Sequence, residues 1–585
     1  MSETRSATAE LPHIPDDLTI PQFFLDHRHM TRPLNTKANP WFIDESTGRQ
    51  LSFEEIRART SGLANALSSK CENDVVCIFS PNHIYYPICV WALLRLGAIV
   101  TGANPAYTAE ELELQLNITN ATRLITHSST LASGIEAAHA SSIPDSCIAL
   151  IDMPPSISRY YPTVDELTKE GLSKLPTFVE RKLVLGEAKK KVAFLSFSSG
   201  TTGKPKAVVI PHHSFIANVI QMAFHANVEE QDRPLAERLY RPGDAAYGVV
   251  PFFHAYGLLI GMHFYTFMGF TLVVSPRFNF VQMLKSTERY RISHLLVVPP
   301  MVVLLCKNPL VKHYDMTSLR YLLCGAAPLS SELVNEITKV LPQAFIHQIY
   351  GMTETAATVT WPRISQKIGT VGCSGVITAG ITVRVIKENG SLARFNEPGE
   401  LYVKSPANTL GYMDNEEATK ETFIDGWVRT GDEVIINEDT EVFIIDRMKA
   451  RASKVGLAPG PHILLNARTS AVAPAELEGH LLTHPDVSDV CVVGVPDEYS
   501  GEVPLAFIVP SAAAAALIKN NPSGAQALKE DIMKYVADNK VYYKKLAGGV
   551  EFTNAIPKNP SGKLLRRLLR DKARELRQAQ TKARL

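Results

Sequence analysis

Over the first two-thirds of the chain, short apolar runs alternate with longer amphipathic or apolar stretches. Val75–Phe79 is an unbroken apolar run and predicts a buried strand. The stretch from Ile84 to Leu96 predicts a helix, and Gly97-Ala98-Ile99-Val100 begins another strand. The alternation recurs around Arg123–Thr126, Ala246–Val250, Leu295–Val298 and Leu319–Leu323. Repeated strand–helix units predict parallel sheets covered by helices, with ligands held at the carboxyl ends of the strands. Leu258–Val274 is apolar enough to raise a membrane span, but His263, Thr266 and two glycines interrupt it. Gly269 divides it into a helix-like part and the β-branched piece Thr271–Val274, so a buried helix followed by a buried strand is expected.

From about Gly399 the texture changes to short strands separated by turns: Glu400–Lys404, Glu433–Ile436 and Glu441–Ile445. A smaller α+β unit follows. Ser511–Ala516 reads as a surface loop or helix end. The basic segment from Lys563 to Arg584 carries a leucine stripe and predicts a solvated amphipathic helix, ahead of any nucleic-acid contact.

The 585 residues are 45% hydrophobic and 20% charged, an ordinary globular balance for a chain of more than one domain. A net charge of +1 provides no field for nucleic acid or an anionic membrane. Eight cysteines are scattered without zinc spacing, which suits free thiols in a reducing compartment. Met1 to Asp17 is polar, so no secretory signal is expected.

The most chemically pointed segment is Phe197-Ser198-Ser199-Gly200-Thr201-Thr202-Gly203-Lys204-Pro205-Lys206. It follows the expected strand Val192–Phe197. Its glycines permit close approach of backbone N–H groups to an anion, and its hydroxyls and lysines add donors and charge. The Walker and dinucleotide patterns both fail, because the glycine spacing is wrong and Pro205 follows Lys204. An ordinary surface turn is the alternative reading of such a cluster. Further constellations accompany it. Tyr350–Thr355 offers an aromatic, a glycine, hydroxyls and the single carboxylate Glu354, apt for Mg²⁺ shared with phosphates. Trp427–Asp432 places a carboxylate after a glycine turn, apt for a ribose diol. Pro251–Gly257 sets His254 among aromatics, and Lys558–Lys563 presents a lysine on a turn. Each also reads structurally: Glu354 as a helix cap, Asp432 as a turn residue, His254 as a core histidine and Lys563 as an exposed lysine.

In this order, from about Ile20 to Arg570, these segments resemble the adenylate-forming superfamily of acyl- and aryl-coenzyme A synthetases, luciferases and peptide-synthetase adenylation domains. The run Ser198 to Lys206 is highly specific for it. Ser80-Pro81-Asn82, Ala103–Thr108, Gly325–Leu329 and Pro474–Glu478 make the chain most similar to the 4-coumarate–coenzyme A ligase branch. The resemblance implies an α/β fold: a large N-terminal domain of parallel-rich sheets and a β-subdomain, residues 1–446, and a small mobile α+β domain, residues 447–585.

It also implies a carboxylic acid, ATP, Mg²⁺ and coenzyme A as partners in a two-step reaction through an acyl-AMP. Ser198, Ser199, Gly200, Thr201, Thr202, Gly203 and Lys206 would then hold the outer phosphates. Gly325, Ala326, Ala327 and Tyr350 would line the adenine site, and Asp432 with Arg447 would bind the ribose. Thr353 would contact the α-phosphate, Glu354 would bind the metal, and Lys563 would bridge substrate carboxylate and α-phosphate. His254, Tyr256, Met301, Gln348, Ile349 and Gly351 would border the acyl pocket, with His254 gating the thiol path. Lys449 would be the hinge.

Three departures from the family pattern stand out. Ala207 replaces a frequent glycine. Ile349 stands where the coumarate ligases usually carry glycine, which predicts a narrowed or reshaped acyl pocket. Asp446 to Glu478 exceeds the family length by about a dozen residues and keeps only Lys454-Val455-Gly456 of the usual coenzyme A segment. Its composition over residues 450–471 predicts a loop. A translated intron, a genuine insertion and a lesion of the thioester step all remain open. Transfer to a carrier-protein thiol, luciferase-like oxidation and an idle nucleotide-binding protein are the rival functions. Ala583-Arg584-Leu585 fits the small–basic–leucine form of a peroxisomal address, which predicts an import receptor as partner.

Overall fold

The computed structural model describes residues 3–6, 10–34, 39–68, 74–152, 161–176, 178–198, 205–325, 328–329, 331–447, 464–466, 470–472, 474–497, 501–520, 522–540, 544–558 and 564–582. Two parallel-rich sheets dominate it. The first orders the strands Ile148–Leu150, Arg123–Thr126, Val75–Phe79, Ile99–Ala103, Val192–Ser198 and Lys206–Pro211. All run parallel except the last pair, which forms an antiparallel hairpin. The second orders Phe345–Gln348, Tyr321–Cys324, Ile292–Val297, Ala245–Gly248, Thr271–Val274, Phe42–Asp44 and Gln50–Leu51. It is parallel apart from the final pair.

The largest core draws residues from both sheets, such as Ile78 and Leu296, and from three helices sunk between them. Those are Tyr86–Arg95, His212–Glu229 and the π-helix Tyr256–Phe264. Every residue of Tyr86–Arg95 is buried, so it shows no polar face. The apolar run flagged from Leu258 is this π-helix and its continuation, ended by Gly269 at φ +82° and followed by the strand Thr271–Val274. His263 is tolerated there because both ring nitrogens are engaged. Nε2 accepts from the Trp91 indole at 3.0 Å, and Nδ1 donates to the Leu258 carbonyl at 2.7 Å. Among the described residues no helix is long and apolar enough to cross a membrane.

An eight-stranded antiparallel sheet forms the β-subdomain and includes Gly399–Lys404, Trp427–Ile436 and Glu441–Arg447. The smaller C-terminal unit has a three-stranded sheet of Val487–Asp497, Gly501–Pro510 and Gly549–Phe552. Leu477, Ile532 and Val536 cover one of its faces, and Leu569 and Ala573 of the helix Arg566–Lys582 cover the other.

Two local expectations change and one of two open readings is settled. Trp427–Asp432 is strand rather than turn, and Gly431 at φ +72° precedes a register irregularity at Glu433/Val434. Of the two readings of Ser511–Ala516, loop or helix end, the second holds: Ala512–Ala516 form the first part of the helix Ala512–Asn520, as alanine's high helix propensity favours. Leu464–Asn466 and Ser470–Val472 form a short antiparallel pair near the end of the segment expected as loop; residues 450–463 lie outside the described ones.

Candidate active site

Several of the described motif residues follow the carboxyl ends of parallel strands, whereas Asp432 lies in the antiparallel sheet. The strands Val192–Ser198 and Lys206–Pro211 that flank the phosphate-type segment pair antiparallel, with Ser198 opposite Lys206. Ser198 Oγ is buried and has no hydrogen-bond partner among the described residues. Buried hydroxyls are almost always satisfied, so this orphan suits an incoming phosphate oxygen. In the second sheet, His254 follows Ala245–Gly248, Met301 follows Ile292–Val297, Gly325 follows Tyr321–Cys324, and Ile349–Glu354 follows Phe345–Gln348.

Glu354 lies in the 3₁₀ turn Thr353–Thr355 and is only 6% exposed. It is not a helix cap. Its carbonyl accepts from both Thr409 N–H and Thr409 Oγ1, each at 3.0 Å. The Tyr412 hydroxyl donates to its Oε1 at 2.8 Å, and no other hydrogen bond to the carboxylate is found among the described residues. Lys206, equally buried, lies with Nζ 5.0 Å from the centre of the Tyr412 ring. No cluster of three potential metal ligands exists among the described residues. A lone buried carboxylate with a free oxygen fits Mg²⁺ only when phosphates complete the coordination.

The residues after Glu354 are tightly bent. Ala356 has φ +64° and ψ −40°, and Ala357 N–H donates to Thr355 O at 2.9 Å, a strained γ-turn. Gly351 presses on this turn: a Cβ there would stand 1.7 Å from Ala357 O.

Tyr350 and Asp432 meet although 82 residues apart, the phenol donating to Asp432 Oδ2 at 2.6 Å. Asp432 is 3% exposed, and the backbone of Arg447 lies opposite it in the neighbouring strand. The strand geometry holds Asp432 more firmly than the expected turn would.

On the acyl side, Gly325 leaves room for the Tyr256 ring. A Cβ there would meet Tyr256 Cε1 and Cζ at 3.2 Å and Ile349 Cγ1 at 3.5 Å. The Tyr256 hydroxyl donates to Leu323 O at 2.8 Å. His254 is half-buried, not a core residue, and its Nδ1 accepts from Tyr256 N–H at 3.3 Å. Gln348 and Met301 also have defined surroundings. Gln348 ends its strand, and its Oε1 accepts from Leu329 N–H. Met301 packs in a core cluster with Val297 and Cys324.

Ser199 to Gly203, Ala326, Ala327, Lys449, Lys563 and Ala583–Leu585 lie outside the described residues. Tyr412 was not anticipated from sequence. The only local signal is Gly411 beside it, whose φ of +134° requires glycine and where a Cβ would stand 2.6 Å from Thr419 Cγ2.

The AMP-binding enzyme family matches residues 30–413, and its C-terminal domain matches residues 476–563. A 4-coumarate-CoA ligase 2 of Narcissus pseudonarcissus is 33% identical over 563 residues, covering 93% of this chain and 91% of the relative. The acyl-CoA ligase easD of Emericella nidulans is 31% identical over 583 residues, covering 95% and 97%. The solved anthranilate CoA ligase AuaEII in complex with anthranoyl-AMP superposes with a TM-score of 0.77 at 21% identity, over 96% of this chain and 98% of that one. ATP-bound MatB from Rhodopseudomonas palustris gives 0.75 at 21% identity, over 96% and 99%. The structural likenesses show a shared fold, a large N-terminal and a smaller C-terminal domain. With its motifs, its fold and the profile match over most of its length in agreement, the chain belongs to the AMP-binding enzyme family.

Proposed function

We propose that this chain is an ATP-dependent acyl- or aryl-coenzyme A ligase. A substrate carboxylate oxygen attacks the α-phosphorus of ATP and pyrophosphate leaves. Coenzyme A thiolate then attacks the acyl carbon, and AMP departs with the bridging oxygen. Three features of the described motif residues support this reading: the Ser198 hydroxyl with no hydrogen-bond partner among the described residues, the buried Glu354, and the bonded pair Tyr350–Asp432. The relatives named as coenzyme A ligases support the second step.

The protein's part is positioning and charge neutralisation. Ser198 to Gly203 and Lys206 wrap the outer phosphates. Gly325 to Ala327 and Tyr350 hold the adenine, while Asp432 and Arg447 hold the ribose. Thr353 reaches the α-phosphate. Glu354 would hold Mg²⁺ together with phosphate oxygens, where the ion offsets the charge of the triphosphate. Lys563 bridges the two reacting anions and His254 borders the thiol path. Tyr256, Ile349 and Gly351 bound the acyl site. The domain boundary falls near residue 446 with Lys449 as hinge, a placement consistent with profile matches on either side of it.

A panel of aromatic and medium-chain acids, assayed for pyrophosphate and for thioester, tests the reading. Thioester with at least one acid is expected. Pyrophosphate without thioester would favour transfer to another thiol acceptor, an alternative raised by the lengthened segment 446–478. Peroxisomal import through Ala583-Arg584-Leu585 is part of the proposal. An amino-terminal fluorescent fusion should lose its punctate signal when the tripeptide is deleted, and a diffuse signal indifferent to the deletion would refute it.

A further inference from the structure

The triphosphate end of the site contains two buried, oppositely charged side chains, Lys206 at the foot of the loop and Glu354 in the turn. No ion pair joins them. Tyr412 stands between: its ring face receives the ammonium and its hydroxyl holds one oxygen of the carboxylate. A direct pair would cancel both charges, leaving the lysine poorly disposed toward phosphate and the carboxylate toward a cation. The phenol prevents this at little cost, because a ring face attracts a cation and its O–H is a donor matched to a carboxylate.

The segment carrying Tyr412 is built to stay in place. Leu410 N–H donates to Val209 O, Val209 N–H to Gly411 O, and Met413 N–H to Ala207 O, so residues 410–413 run as an added edge to the strand that begins at Lys206. Thr409 is meanwhile bonded twice to the Glu354 carbonyl. The ring of Tyr412 also meets Phe423 edge-on at 5.8 Å. One rigid segment thus fixes the backbone and the carboxylate of Glu354 and the direction of Lys206.

We infer that Tyr412 is a positioning residue for the triphosphate site, orienting Glu354 toward its cation and keeping Lys206 available to phosphate. The inference rests on the roles given above to Glu354 and Lys206. Hydrogen-bonding partners of metal ligands typically set affinity by roughly ten- to a hundredfold.

The test is calorimetric titration of Mn²⁺ into the full chain saturated with a non-hydrolysable ATP analogue, for wild type, Tyr412→Phe and Glu354→Gln. Tyr412→Phe keeps the ring and is expected to weaken Mn²⁺ by about tenfold, with metal-free analogue binding within about twofold of wild type. A purely structural tyrosine would not separate these two readouts. Glu354→Gln is expected to weaken Mn²⁺ further. If Glu354→Gln has its effect while Tyr412→Phe binds Mn²⁺ normally, the inference fails and the reading of Glu354 stands. If Glu354→Gln binds Mn²⁺ normally, the reading of Glu354 fails and the inference falls with it. Tyr412→Leu removes the ring as well and is expected to weaken metal-free analogue binding too. Analogue affinity equal to that of Tyr412→Phe would overturn the part assigned to Lys206.

Discussion

At the residue scale, Asp432 is held by the 2.6 Å bond from Tyr350, and in the proposed role it would accept from the ribose diol. Asp432→Asn keeps the size but removes the charge. A hydrogen bond to a charged group contributes about 1.5–3 kcal/mol, so the KM for ATP in pyrophosphate exchange should rise by roughly ten- to a hundredfold. Tyr350→Phe, which removes only the support, should cost less. Ile349 lies within contact distance of the position a Gly325 side chain would occupy, and Tyr256 closes the same corner. Ile349→Gly should therefore raise kcat/KM for bulkier acids relative to small ones; an unchanged acid profile would remove Ile349 from the acyl wall. These residues were legible because they sit in contiguous motifs. Tyr412 was not, since its partners Glu354 and Lys206 are far away in sequence and its own surroundings show no periodicity.

At the element scale, the turn behind Glu354 is the least tolerant part of the site. Gly351→Ala would drive a methyl against Ala357 O, a backbone atom that cannot swing aside. The strained turn at Ala356 would have to shift and carry Thr353 and Glu354 with it. Adenylation should fall at least tenfold, with a measurable drop in Tm, because strain and overpacking each cost of order 1–3 kcal/mol. Wild-type activity in this variant would show that the close approach is not needed. Strand–helix alternation exposed the parallel sheets well, since buried parallel strands read as unbroken apolar runs. The strand Trp427–Ile436 was partly hidden, because Gly431 looks like a turn when it in fact accompanies a bulge. The pairing order of the β-subdomain could not be read at all: Trp361 of one strand and Glu441 of another are brought beside Val376 by contacts distant in sequence.

At the scale of the whole molecule, the core is rich in neutral histidine. Burial lowers His83, His213, His225 and His347 to about 4, and His212 and His263 to about 3, from an ordinary value near 6.5. Between pH 6.5 and about 4 the unfolded chain therefore binds more protons than the folded one. Stability is full above pH 6.5 and falls as the pH drops through that window, by up to about 1.4 kcal/mol per pH unit for each such histidine. Tm should decline steeply between pH 7 and pH 5 and stay nearly flat from pH 7 to 8; a flat profile down to pH 5 would mean that these rings are not buried as described. That core also fixes the two parallel-rich sheets against each other.

The central claim is that the acid is activated as an acyl-adenylate. Carboxylate-¹⁸O-labelled acid, turned over with ATP and coenzyme A, tests it most directly by mass analysis of the AMP. The account predicts one ¹⁸O in each AMP formed, because the attacking carboxylate oxygen stays on the α-phosphorus when thiolate takes the acyl group. Unlabelled AMP, or label appearing in inorganic phosphate beside ADP, would contradict it.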